Sequence, residues 1–222
     1  MIFDHTHSWY KVRRESSGVN RYNGAYYYSC EIVKNIIPRI KTDRNWITVN
    51  IPLDNRVPQY TKCGADHSIV FIHNNLCPDH YDWLSRYHDL ILVCGIPETM
   101  QKVEHLGKAV YLPLSVDVEE VKSHSKPKTR GTAFVGRRSK RNGVEFPLTV
   151  DFIEGIPRDQ MLDEMAKYKR VYAVGRTAIE AKVLGCEVLP YDPRFPDTDR
   201  WKVLDNRDAS VILQRMINEI DA

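Results

Sequence analysis

Short runs of β-branched and apolar residues recur along this chain at residues 47–51, 69–72, 90–94, 110–112, 132–135, 148–153, 170–174 and 186–190. Between several of them the apolar spacing becomes helical. Met100, Val103 and Leu106 mark one face over residues 98–106; Met161, Leu162 and Met165 do so over 158–168, and Leu213, Met216, Ile217 and Ile220 over 208–220. A run without polar alternation has no face suited to water, so it must be covered on both sides, and amphipathic helices supply that cover. The alternation predicts an α/β fold of parallel strands joined by right-handed crossovers.

With 222 residues, 42% of them hydrophobic, the chain can form one large or two small cores. The polar stretch SVDVEEVKSHSKPKTRG (residues 115–131) contains Pro127 and five basic residues from Lys122 to Arg130, and is expected to be a linker. It divides the chain into α/β units at residues 1–122 and 123–222, with a ligand expected between them. The apolar runs are far shorter than the ~20 residues that span a bilayer, and MIFDHTH does not have a signal-peptide pattern. A soluble, cytoplasmic protein is expected. Five widely spaced cysteines, Cys30, Cys63, Cys77, Cys94 and Cys186, contain no CxxC pair and fit a reducing compartment. His5 and His7 with Asp4 have a spacing too common to indicate a metal, and no metal is expected. A net charge of +3 does not by itself select nucleic acid. The chain has no GxSxG elbow, GxxxxGK[ST] loop or HExxH pair.

The segment VYAVGRTAIEAKVLGCEVLPYD (residues 171–192) reads as strand, turn, helix, stop and strand. Gly175 and Arg176 form the turn, Thr177 is placed as N-cap, and Gly185 as a left-handed stop. Two readings fit. Thr177 and Glu180 have capping-box spacing, in which Glu180 reaches back to the Thr177 N–H. Alternatively, the helix start, at the carboxyl end of a parallel strand, offers N–H groups and a positive dipole end to a phosphate.

The string GRTAIEAKVLGCEVLPYD resembles the signature of GT-B glycosyltransferases, a likeness that extends over most of the chain. AVYLPLSVDVEEV (residues 109–121) is similar to the segment closing their N-terminal domain, and GTAFVGRRSKRNG (131–143) to the first strand and basic loop of the C-terminal one. The resemblance implies two Rossmann-like domains facing across a cleft, an acceptor-side domain at residues 1–122, reduced in size, and a nucleotide-sugar domain at 123–222. It implies that Arg137 and Lys140, after Gly136, clamp the donor phosphates, with Arg138 and Arg141 as substitutes. Arg176 and Thr177 then face the diphosphate, Glu180 the ribose, and Gly155 and Ile156 the base; a plain βα turn led by Pro157 explains the last pair equally well. The loop containing Ser16, Ser17, Gly18, Asn23 and Gly24 corresponds to one that closes over the donor. Tyr26, Tyr27 and Tyr28 after it begin an amphipathic helix or form a stacking platform. His73, directly after the run at 69–72, corresponds to a histidine that acts as base or contacts the transferred sugar.

The implied activity is metal-independent transfer of a sugar from a nucleoside-diphosphate sugar, a UDP-sugar in the first instance, to an acceptor hydroxyl. No further cofactor and no membrane span are implied. Compact members of this fold modify bases in phage DNA, so DNA is one candidate acceptor, with Arg13, Arg14, Arg21, Lys122, Lys126, Lys128 and Arg130 as phosphate contacts. The chain departs from the pattern at Tyr172, where retaining members often have a second glutamate, and in its short length. Both departures leave open a non-catalytic GT-B-like module that binds a nucleotide or nucleic acid.

Overall fold

The computed structural model describes residues 2–3, 32–41, 46–51, 67–72, 90–141 and 143–221. By internal contacts the chain divides into two units, and the expected α/β class holds in each.

In the first unit β1 (Ile2–Phe3), β2 (Trp46–Ile51), β3 (His67–Ile72), β4 (Leu90–Cys94) and β5 (Lys108–Tyr111) form a parallel sheet in that sequential order. Residues 69–72 and 91–94 are all buried. Their continuous apolar character therefore reflects interior strands covered on both faces. Helix α1 (Pro97–Val103) opens with proline, whose missing N–H costs nothing there, and packs on β4 and β5.

The second unit takes residues 115–206 among those described. The expected linker is in part a helix, α2 (Val118–Ser123), because Asp117 caps it by accepting from the Glu120 N–H at 3.0 Å. By internal contacts the residues up to Leu114 group with the first unit and those from Ser115 with the second. β6 (Arg130–Val135), β7 (Val150–Ile153), β8 (Tyr168–Tyr172) and β9 (Glu187–Leu189) form a parallel sheet in the order β7-β6-β8-β9. Helix α3 (Arg158–Met165) packs on β6, β7 and β8, while α4 (Arg176–Val183) packs on β8, β9 and α2. The last helix, α5 (Asn206–Asp221), belongs from Arg207 onward to the first unit. Gln214 ties it there, its side chain exchanging hydrogen bonds of 2.6 and 2.7 Å with the Lys41 backbone.

Phe134, Phe152 and Tyr172 stand side by side on neighbouring strands of the second sheet. Phe146 covers them, with ring centroids 5.3, 5.8 and 5.1 Å away, and Tyr191 packs edge-on to Phe134 at 5.1 Å. Offset and edge-on geometries of this kind add to the burial energy of the rings. The expected strand at 148–153 begins only at Val150, because Val150 N–H bonds to the Pro147 carbonyl in a turn that leaves Leu148 fully exposed.

Phe134, with no surface exposed, lies at the centre of this cluster. Phe134→Ala is expected to lower unfolding free energy by about 3–5 kcal/mol, whereas Leu148→Ala should change it by less than about 0.5 kcal/mol. Urea unfolding of the two variants checks this, and similar losses would contradict the assigned packing.

Candidate functional site

From β6 the chain steps outward to β7, returns past β6 to β8, and continues to β9. The order thus reverses between β6 and β8. In an open parallel sheet the loops leaving the carboxyl ends at such a reversal diverge and leave a crevice where ligands bind. The described strands of the first sheet run sequentially and have no reversal. Gly136 and Arg137 follow β6 directly, Gly155 and Ile156 follow β7, and Gly175, Arg176 and Thr177 follow β8. Because the strands are parallel, these residues share one edge of the sheet.

Helix α4 starts earlier than expected. Gly175, at φ 64° and ψ −139°, is its N-cap, and Thr177 is the second helical residue. That backbone conformation is nearly closed to residues with a Cβ, so glycine sets the point of entry. The Gly175 carbonyl accepts from the Ala178 and Ile179 N–H groups at 3.0 and 3.3 Å, and no side chain caps the start. Such a start leaves first-turn N–H groups to water or a ligand. Gly185, at φ 73°, closes the helix as expected.

The capping box does not form. Glu180 is buried, and its Oε1 accepts from Arg158 Nε at 3.0 Å and Arg176 Nη2 at 3.1 Å. Arg158 also bonds Glu120 with both terminal nitrogens, at 2.8 and 2.9 Å. Burial alone would lower the Arg158 pKa, but Glu180 and Glu120 outweigh it and raise the value. Sequence reasoning missed Arg158 and Glu120. A signal existed, since an arginine in the first turn of a helix opposes the dipole and needs an acidic partner.

Gly136 passes close to Phe134: an added Cβ would lie 3.1 Å from the ring, which would have to give by a few tenths of an ångström to admit it. Beyond it a short helical turn (Arg138–Arg141) carries Lys140. The Lys140 residue is exposed, yet its ammonium is held below the ordinary lysine range, first by loss of hydration and then by Arg137 and Arg194; Asp192 opposes them. Arg141 is committed elsewhere, to Glu154 at 2.6 Å and to the face of Phe152 at 4.4 Å, so it does not stand in for Arg137.

The basic residues of the expected linker have partners within the second unit. Lys122 pairs with Glu119, Lys126 with Asp163, Lys128 with the Ala166 carbonyl, and Arg130 with Tyr168 and Glu164. Cys94 and Cys186 are buried free thiols; burial pushes the first up to about 12 and raises the second despite Lys128. Neither has the depressed pKa of a nucleophile. Among the described residues Glu120, His124 and Asp159 bring possible metal-ligand atoms within 4.8 Å of one another. The Arg158 guanidinium on Glu120 opposes a cation there.

His73, Gly18, Ser16, Ser17, Asn23, Gly24, Tyr26, Tyr27, Tyr28, His5, His7, Asp4, Arg13, Arg14 and Arg21 lie outside the described residues, as do Cys30, Cys63 and Cys77. Among the described residues no helix is long and apolar enough to cross a membrane. In comparisons with known proteins, no family model matches the chain and no curated protein matches it.

Removing the Glu180 carboxylate leaves two guanidiniums without their shared buried partner. Glu180→Ala is expected to cost about 3–5 kcal/mol of stability, and adding Arg158→Met to recover a substantial part. Additive losses in a double-mutant cycle by urea unfolding would show that the two side chains are not coupled.

Proposed function

We propose that the second unit binds a nucleoside diphosphate at its carboxyl edge, and that the chain transfers the sugar of a nucleoside-diphosphate sugar to an acceptor hydroxyl. One observation carries this reading. The loops on either side of the strand reversal are the two that contain Arg137, Lys140 and the start of α4 without a capping side chain. A forked guanidinium and a point ammonium beside a helix start are suited to a diphosphate. In a transfer reaction the same groups stabilise the charge that develops on the departing diphosphate. The fit agrees with the GT-B resemblance and with a UDP-sugar donor, and needs no metal to neutralise the leaving group.

Glu180 has a more restricted part in this reading than the resemblance implies. Both guanidiniums approach its Oε1, so a ribose hydroxyl must reach Oε2 of a side chain that is 4% exposed. Modified DNA remains one candidate acceptor. Support for it now rests on Arg13, Arg14 and Arg21, since the basic residues between 122 and 130 are engaged within the unit.

One observation favours a binding module without catalysis. Tyr172, at the position of the family's second glutamate, packs its ring on Phe146 at 5.1 Å, so this position offers no carboxylate to a sugar.

Calorimetric titration with UDP, GDP and dTDP should show micromolar to millimolar binding. Arg137→Ala and Lys140→Ala should each weaken it by about tenfold or more, since hydrogen bonds to charged groups contribute about 1.5–3 kcal/mol. Hydrolysis of a panel of nucleotide sugars separates the two functions. Tight nucleotide binding without turnover of any donor would leave only the binding module, and no binding of any diphosphate would sink both readings.

A further inference from the structure

Glu180 stands one turn into α4, about 6 Å along the helix axis from Arg176. Its two carboxylate oxygens are in different situations. Oε1 is occupied, since Arg158 Nε donates to it at 3.0 Å and Arg176 Nη2 lies 3.1 Å away. Arg158 is fixed there, because both its terminal nitrogens hold Glu120, at 2.8 and 2.9 Å, and its side chain is 10% exposed. Among the described residues no group donates a hydrogen bond to Oε2, although the side chain is only 4% exposed. Other carboxylates leaving the same sheet are not left in this state. Glu154, directly after β7, sets its two oxygens on Arg141 Nε and Nη2 at 2.6 and 3.4 Å, and Asp192, after β9, sets its own on Arg194 Nε and Nη2 at 3.0 and 2.6 Å.

A carboxylate oxygen that burial has largely stripped of water, and that no protein donor meets, carries a free-energy cost which a donor on a ligand removes. Each oxygen of a carboxylate offers two lone pairs, and the two guanidiniums take up those of Oε1. An open carboxylate meets two neighbouring sugar hydroxyls with one oxygen each. Here a single oxygen is left, and two adjacent hydroxyls converging on it approach at an angle narrower than its lone pairs, so only one of them is well aligned.

We propose that Glu180 reads a single hydroxyl of the ligand's sugar, through Oε2 alone, so that one of the two neighbouring ribose hydroxyls of a nucleoside diphosphate is dispensable for binding. The inference rests on the diphosphate reading of the α4 start and deepens it by stating how the attached sugar is recognised. Arg158 is the cause of the restriction, because it keeps Oε1 from the ligand.

The test is calorimetric titration of UDP, 2′-deoxy-UDP, 3′-deoxy-UDP and inorganic pyrophosphate into the unsubstituted chain and into E180Q. In E180Q the amide oxygen is held by the guanidiniums, so the amide N–H groups take the place of Oε2 and cannot accept from a hydroxyl. At most one of the deoxy analogues is expected to bind the unsubstituted chain about tenfold more weakly than UDP, as loss of one charge-assisted hydrogen bond does. E180Q should weaken UDP by a similar factor, bring the nucleotides to nearly equal affinity and leave pyrophosphate and the thermal melt unchanged. Weakening of both analogues by about tenfold would show that two hydroxyls are read and overturn the proposal, an outcome that needs no variant. It is overturned equally if E180Q binds UDP as the unsubstituted chain does. In both cases binding of pyrophosphate leaves the diphosphate site standing, whereas an unsubstituted chain that binds neither pyrophosphate nor UDP removes both.

Discussion

Arg158 is the charge on which the helical layer of the second unit depends. It is the first residue of α3, and its guanidinium reaches Glu120 on α2 and Glu180 on α4 while only 10% of the side chain is exposed. An ion this buried is tolerated only when its hydrogen-bonding capacity is met, so the geometry of the helices is tightly specified around it. Arg176, in the first turn of α4, approaches the same Glu180 oxygen, which links the helix start to the network. The place where α4 emerges at the sheet edge is therefore set from beneath by charge as well as by apolar packing.

On the other face of the sheet the control is steric. Phe134 is fully buried among Phe146, Phe152 and Tyr191, and the chain leaving β6 must pass over its ring. Gly136 makes this passage without crowding the ring, which a Cβ would approach to 3.1 Å. Aromatic packing on one face and a buried ion network on the other thus position the two loops that flank the strand reversal. The loop after β9 is drawn to the same edge because Tyr191 belongs to the aromatic group.

Burial explains why the first sheet was the easier one to read. Residues 69–72 and 91–94 are apolar throughout because β3 and β4 are interior strands, and nothing in their sequence competes with that pattern. Helix α2 was harder to see, since in sequence it has the composition of a linker. Asp117 and Glu120 nevertheless have the spacing of a cap, and the buried Val121 shows which side of the helix faces inward. Local polarity and local structure diverge where charged side chains find partners on other elements.

The amino-acid sequence alone determined the α/β class, the succession of strands, the glycine stop at Gly185 and the placement of Arg137 and Lys140 in the segment that follows a strand. These follow from periodicity and backbone preference, which act over a few residues. Tertiary structure decided that the second sheet reverses its order between β6 and β8, that Gly175 and not Thr177 begins α4, and that Glu180 turns to Arg158 and Arg176. Each of these depends on groups far apart in the chain, and a capping box or a basic loop reads the same in sequence whether or not a distant guanidinium or aromatic ring is there to meet it.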